Sequence, residues 1–170
     1  MTNPIHETAA RALRDAYTGG AIPPMRAWLE PTDVDGAYAV QEINTRLWVD
    51  QGRRIVGRKA GLTAKAVQVQ LGVDQPDFGV LFDDMEIEDG GTLDPARALQ
   101  PKAEAEIAFV LGKDLPSPDT TREQIADAVA TVHAAIEIVD SRIADWKIAF
   151  ADSVADNGSS AFFVLAQEGK

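Results

Sequence analysis

The sequence has no cysteine, which excludes disulfides, thiolate metal sites and cysteine nucleophiles. Histidine is nearly as scarce: only two occur in 170 residues, so an imidazole-rich zinc site is disfavoured. Basic charge is short as well, with 16 Lys and Arg against 27 Asp and Glu. The resulting formal net charge of -11 leaves no basic stripe for phosphates, and nucleic acid is not expected as a partner. No apolar run approaches the length of a membrane span, and the stretch Met1 to Glu7 lacks a basic region followed by an apolar one. The default expectation is therefore a cytoplasmic protein without a membrane partner. There is no internal repeat and no low-complexity segment. What remains is the ordinary composition of a globular protein, 45% hydrophobic and 25% charged, in a chain long enough for one domain with its own core.

Ile5, Ala9, Leu13 and Tyr17 recur at helical spacing before Gly19-Gly20, which predicts an amphipathic helix over 5–18. Pro23-Pro24 breaks the chain, and Thr32 or Asp33 is a suitable N-cap for a second helix reaching about Gln51. Residues 53–63 read as a short strand that delivers Lys59 to a Gly-containing turn. Thr63 can then cap a helix from Ala64 to Leu71, with Gly72 at its end. Val73 to Asp77 form a loop into an apolar strand. Asp83 to Gly91 are acidic and turn-rich, and Gly112 to Pro118 form a further loop. Thr121 and Gln124 make a capping box for a helix with an inward stripe of Ile125, Ala128, Val129 and Val132. Ser141 to Trp146 lead into Lys147 to Asp152, to which no regular element is assigned, then into Asp156 to Ser160, and Ala161 to Leu165 read as a last strand. The mixture predicts an α+β fold with a largely β core.

Three carboxylates stand where apolar side chains are expected. In Lys102 to Leu111, Glu104 and Glu106 share one face of an extended chain, while Ala105, Ile107, Phe109 and Leu111 fill the other. That pattern predicts a strand covered on both sides. Glu137 repeats the anomaly at the centre of His133 to Val139. Buried and ionised, such groups would be costly without a compensating cation. A set of carboxylates favours Mg2+ or Mn2+ over Zn2+. Spacing alone also admits a blander arrangement, in which Glu104 and Glu106 face water on an edge and Glu137 pairs with a buried arginine. Lys59 and Asp77 likewise admit ordinary roles, as a solvent-facing lysine and a loop-capping aspartate.

Five blocks taken together resemble the 2-keto-4-pentenoate hydratase group within the fumarylacetoacetate-hydrolase-like superfamily. They are Gly57 to Thr63, Gln70 to Gly79, Glu104 to Ala108, Ala135 to Arg142 and Val154 to Asn157. The resemblance implies N-terminal helices over residues 1-52 packed on a core over 53-170. That core would be a mixed β-roll or barrel-like one of the fumarylacetoacetate-hydrolase type, with its C-terminal strands missing and so incomplete. It also implies Glu104, Glu106 and Glu137 as ligands of Mg2+ or Mn2+, and Lys59 and Asp77 in acid–base roles. Leu81, Phe82 and Ser159 fall on the substrate side, and a homo-oligomer is expected. The implied reaction adds water to 2-hydroxypenta-2,4-dienoate, giving 4-hydroxy-2-oxopentanoate in meta-cleavage breakdown of aromatic compounds.

A 4-oxalocrotonate decarboxylase of the same family is the nearest rival. Gln75 to Gly79 look more like the hydratase branch. A carbon–carbon hydrolase would need a histidine water activator, and His6 and His133 lie in poor contexts for it. From another class, the chain could be a non-catalytic partner subunit in that pathway.

Overall fold

In the computed structural model, residues 3–115 and 117–170 are described, with residues 70 and 71 as backbone only. Asn3 accepts the Ile5 amide and Pro4 pre-sets the first turn, so α1 spans Pro4–Gly19. Its buried residues are Ala9, Ala10, Leu13 and Ala16. Ile5 and Tyr17, expected in the buried stripe, are 51% and 43% exposed. Asp33 accepts the Gly36 amide and opens α2, Val34–Asp50, as expected.

Strand β1, Ile55–Gly61, pairs antiparallel with β2, Asp77–Phe82. Between them lies α3, Lys65–Leu71, whose cap position is Ala64 with no side-chain bond, so Thr63 is not the cap. Gly72 ends it in the left-handed conformation, φ +68°, which glycine adopts without strain. What the sequence predicts for Met1, Thr2 and Pro116, and for the side chains of Gln70 and Leu71, lies outside the described residues.

A second sheet contains β3 (Lys102–Leu111), β4 (Val129–Val139) and β5 (Ser160–Leu165), antiparallel in the order β3-β4-β5. Helix α4, Arg122–Ala128, begins on the Thr121–Gln124 capping box, with both reciprocal bonds made. It stops at Ala128, and Val129 and Val132 belong to β4. Ile125 is 43% exposed, so the expected stripe reduces to Ala128. The apolar face of β3 is not covered among the described residues: Ile107 is 65% and Phe109 62% exposed. The expectation of burial on both sides fails because β3 meets chiefly β4, its neighbour within the sheet, and no described element packs broadly over that face.

Helix α5, Phe150–Ala155, forms where the sequence predicts no regular element, and all six of its residues are buried. Leu13, Leu29, Val40, Ile143 and Val154 join α1, α2 and α5 in the larger apolar cluster. Val80, Phe82, Met85 and Phe163 form a smaller one linking β2 to β5. The fold is α+β, but its main core is helical rather than largely β. No helix among the described residues is long and apolar enough to cross a membrane.

Candidate metal centre and its lysine

Register assembles the carboxylates. Glu104 lies directly opposite Glu137 across β3 and β4, and Glu106 follows two residues later on the same face. One carboxylate oxygen from each comes within 4.8 Å of the others. Glu104 and Glu106 are exposed and Glu137 is 7% exposed, so the group sits at a boundary, open on the β3 side. The blander arrangement is therefore right about the exposure of Glu104 and Glu106. Its buried ion pair exists too, with a lysine in place of an arginine.

That lysine is Lys59. Its Nζ is 3.1 Å from Glu137 Oε1 and donates to the Gly158 carbonyl at 2.7 Å. Ser160 Oγ donates to the same glutamate oxygen at 3.1 Å. Burial pushes the Glu137 carboxyl above its ordinary range. The Lys59 charge and the bonds from Lys59 and Ser160 pull it back, and the Glu104 charge adds to the rise. A cation held by the three glutamates would act in the direction of the lysine, stabilising the ionised form.

The loop that meets Lys59 has an unusual backbone. Asn157, Gly158 and Ser159 have φ of +59°, +63° and +52°, so three successive residues lie in the left-handed region. Such positions are strained for side-chain-bearing residues and persist where surrounding bonds enforce them. Here Asn157 clamps β2, accepting from the Val80 amide at 2.7 Å and donating to the Val80 carbonyl at 2.9 Å. The Ser159 carbonyl accepts the Asp140 amide at 2.8 Å. Behind the loop, Arg142 Nε meets Asp156 Oδ1 at 2.6 Å, with both side chains buried. Ser159 Oγ is buried without a partner in the structure. A Cβ on Gly79 would lie 2.4 Å from the Asn157 carbonyl oxygen and 3.1 Å from Lys59 Cγ. Gly79→Ala should therefore shift this loop and lower stability by about 1–3 kcal/mol, measured by chemical denaturation. An unchanged midpoint would show that the close approach is slack.

Asp77, opposite Gly61, is 2% exposed. Ser153 Oγ donates to its Oδ2 at 2.6 Å, while Oδ1 is buried without a partner among the described residues. A Cβ on Gly61 would sit 2.2 Å from Oδ1 and 3.4 Å from Lys59 Nζ. The bare glycine thus leaves a gap that both groups border. Lys59, Asp77, Ser159 and the three glutamates are placed around one region by these contacts. Leu81 and Phe82 lie farther along β2, opposite Gly57 and Ile55. Phe82 is fully buried, with Trp48 edge-on at 5.8 Å and the Arg53 guanidinium 4.1 Å from its ring centre. Both side chains pack into the smaller core cluster. Ser153 and Ser160 are not among the sequence candidates, and as serines beside other polar residues, Asp152 and Ser159, they carry no sequence signal that sets them apart.

Fold and site define an α+β protein with an all-oxygen donor set that could hold a hard divalent ion, bordered by a lysine and a second buried carboxylate. No family model matches the chain, but individual proteins do. It is 54% identical over 160 residues to 2-keto-4-pentenoate hydratase 1 of Dechloromonas aromatica (strain RCB), which covers 94% of this chain and 61% of that protein. It is 52% identical over 166 residues to 2-keto-4-pentenoate hydratase of Paraburkholderia xenovorans (strain LB400), covering 97% and 62%. Among solved structures it superposes on 4-oxalocrotonate decarboxylase from Pseudomonas putida G7, complexed with magnesium and adipate. The TM-score is 0.86 and the identity 30%, over 97% of this chain and 63% of that one. The chain is a homologue of the 2-keto-4-pentenoate hydratases, and it spans about three fifths of the length of the curated relatives it matches.

Proposed function

We propose that this chain carries the metal-binding and proton-transfer groups of a hydratase, a hydro-lyase that adds water to 2-hydroxypenta-2,4-dienoate to give 4-hydroxy-2-oxopentanoate. The observation that carries this reading is the convergence of Glu104, Glu106 and Glu137 beside Lys59, in a chain more than half identical to a named hydratase. Mg2+ or Mn2+ is the proposed occupant, and when bound it supplies a Lewis acid for the carboxylate and 2-oxo oxygens of the substrate. The chain's own groups handle protons and water. Lys59 holds a proton at Nζ between Glu137 and Gly158, placed to pass it to or from a ligand. Asp77 offers Oδ1 as an acceptor for that proton or for water. Ser159 presents a hydroxyl with no other partner to a ligand. The division of residues into a helical region over 1-52 and a catalytic core over 53-170, the β-roll form of that core and a homo-oligomeric state belong to the same proposal. The unpaired edge of β3 favours association.

Lys59→Met and Asp77→Asn should each lower kcat by roughly 10²-fold or more while Mg2+ binding persists. Near-normal turnover in both variants would remove these residues from the chemistry. The solved decarboxylase neighbour favours a second reading, loss of CO2 from 4-oxalocrotonate. Offering both substrates with Mg2+ and identifying products by mass separates the two. Evolution of CO2 without hydration would replace the hydratase proposal.

A further inference from the structure

We infer that Ser153 is a positioning residue for Asp77, deciding which carboxylate oxygen is offered to the reaction; the inference rests on the hydratase reading above. Ser153 lies on α5, is 8% exposed, and donates to Asp77 Oδ2 at 2.6 Å. A bond that short from a hydroxyl to a carboxylate is of the charge-assisted kind. It leaves Oδ1 as the free oxygen, on the side where Gly61 opens the gap toward Lys59. Terminal carboxylate torsions are broad. Without the hydroxyl, no other side-chain bond among the described residues fixes the plane of the Asp77 carboxylate.

Ser153 can hold Asp77 because its own helix is tied on both sides. Asp152 accepts the Met25 amide at 2.9 Å, the Ala149 amide at 2.7 Å and Arg26 at 2.6 Å. Gln41 Nε2 bridges the Val154 carbonyl at 2.8 Å and the Phe78 carbonyl at 2.9 Å, linking the residues next in sequence to Ser153 and Asp77. Tyr38 accepts the Phe78 amide at 3.2 Å. Helix α5 and strand β2 are therefore held at fixed separation, and the serine hydroxyl spans it. Ser153 acts through Asp77, not on the substrate.

The test compares Ser153→Ala, Ser153→Thr, Asp77→Asn and the double variant S153A/D77N, in full-length chain with saturating Mg2+ and 2-hydroxypenta-2,4-dienoate. Ser153→Ala should lower kcat about tenfold or more with KM nearly unchanged, the scale of one bond to a charged group. Ser153→Thr, which keeps the hydroxyl, should restore it. Adding Ser153→Ala to Asp77→Asn should cost nothing further, because the group being positioned is already gone. Full kcat in Ser153→Ala, or an equal loss in both backgrounds, overturns the inference. If the wild-type chain turns over no dienoate, the hydratase reading fails separately. The positioning is then read from the 13C-carboxyl resonance of Asp77 as pH is varied. A midpoint higher by about half a pH unit or more in Ser153→Ala, but not in Ser153→Thr, supports it, since a lost donor disfavours the ionised form. Coincident midpoints overturn it.

Discussion

Millimolar Mg2+ should raise the melting temperature of this chain, and Glu106→Gln should abolish the rise while leaving the metal-free protein at least as stable as wild type. The two halves follow from one geometry. Three carboxylate oxygens within 4.8 Å repel one another when no cation is present, so neutralising one relieves the folded state. Glu106 is the natural choice because it is exposed, whereas Glu137 is buried and bonded to Lys59 and Ser160. A ligand bound only by the folded state stabilises it by RT ln(1 + [L]/Kd), about 2.7 kcal/mol at a hundredfold excess over Kd. For a chain of this size that corresponds to roughly 5–10 °C. Differential scanning fluorimetry with Mg2+, Mn2+ and chelator reads the crossing directly. A wild type indifferent to all three conditions would reduce the carboxylate group to a coincidence of register. A Glu106→Gln protein that still responds fully would place the cation elsewhere.

Much of this centre is legible in the sequence because strands have a period of two. Glu104 and Glu106 announce their shared face by spacing, and Glu137 stands out against Ile136, Ile138 and Val139. What spacing cannot supply is the register that sets Glu104 opposite Glu137, nor the arrival of Lys59 from a different sheet. The same limit explains the errors of burial. An alternating apolar face reads identically whether or not something covers it, so Ile107 and Phe109 are predicted inside and found outside. Helix α5 escapes because its six residues are buried all round, and a helix buried on every side has no amphipathic stripe to detect. Yet α5 supplies Ser153, the group that touches Asp77. Nor can spacing say which cation meets Glu137: the buried Arg142 pairs with Asp156, and Lys59 is the one that reaches Glu137.

That pairing of Arg142 with Asp156 carries the second large expected effect. Arg142 is fully buried and makes four bonds to the loop that faces Lys59: Nε to Asp156 Oδ1 at 2.6 Å, its amide to Oδ2 at 2.9 Å, and one terminal nitrogen to the carbonyls of Asp156 and Ser160 at 3.0 and 3.2 Å, while Nη1 has no partner among the described residues. Burial alone would lower the guanidinium pKa, but the Asp156 charge overrides it and holds Arg142 firmly ionised. Arg142→Met fills similar space and removes the charge, leaving Asp156 buried without its counter-ion. Breaking such a pair costs about 3–5 kcal/mol, and urea unfolding should show a loss of that size. The loss should also depend on pH. Burial already pushes Asp156 up to about 6 against the pull of Arg142, and removing the arginine lets it rise further. A carboxyl raised above its unfolded value, about 3.9, contributes stability that is complete below that value and is lost as pH rises through the folded one. Wild type undergoes this loss near pH 6 and the variant at higher pH values still, so the gap between them should widen from about pH 6 upward. Each unit by which the variant's pKa exceeds the wild-type value adds about 1.4 kcal/mol to that gap. Because the pair anchors Asp156 at the start of the left-handed turn, the variant should also lose the Lys59–Gly158 contact and with it much of its turnover. A gap that is constant from pH 5 to 9 would mean that Asp156 finds another partner, and full activity would mean that the turn holds its shape without Arg142.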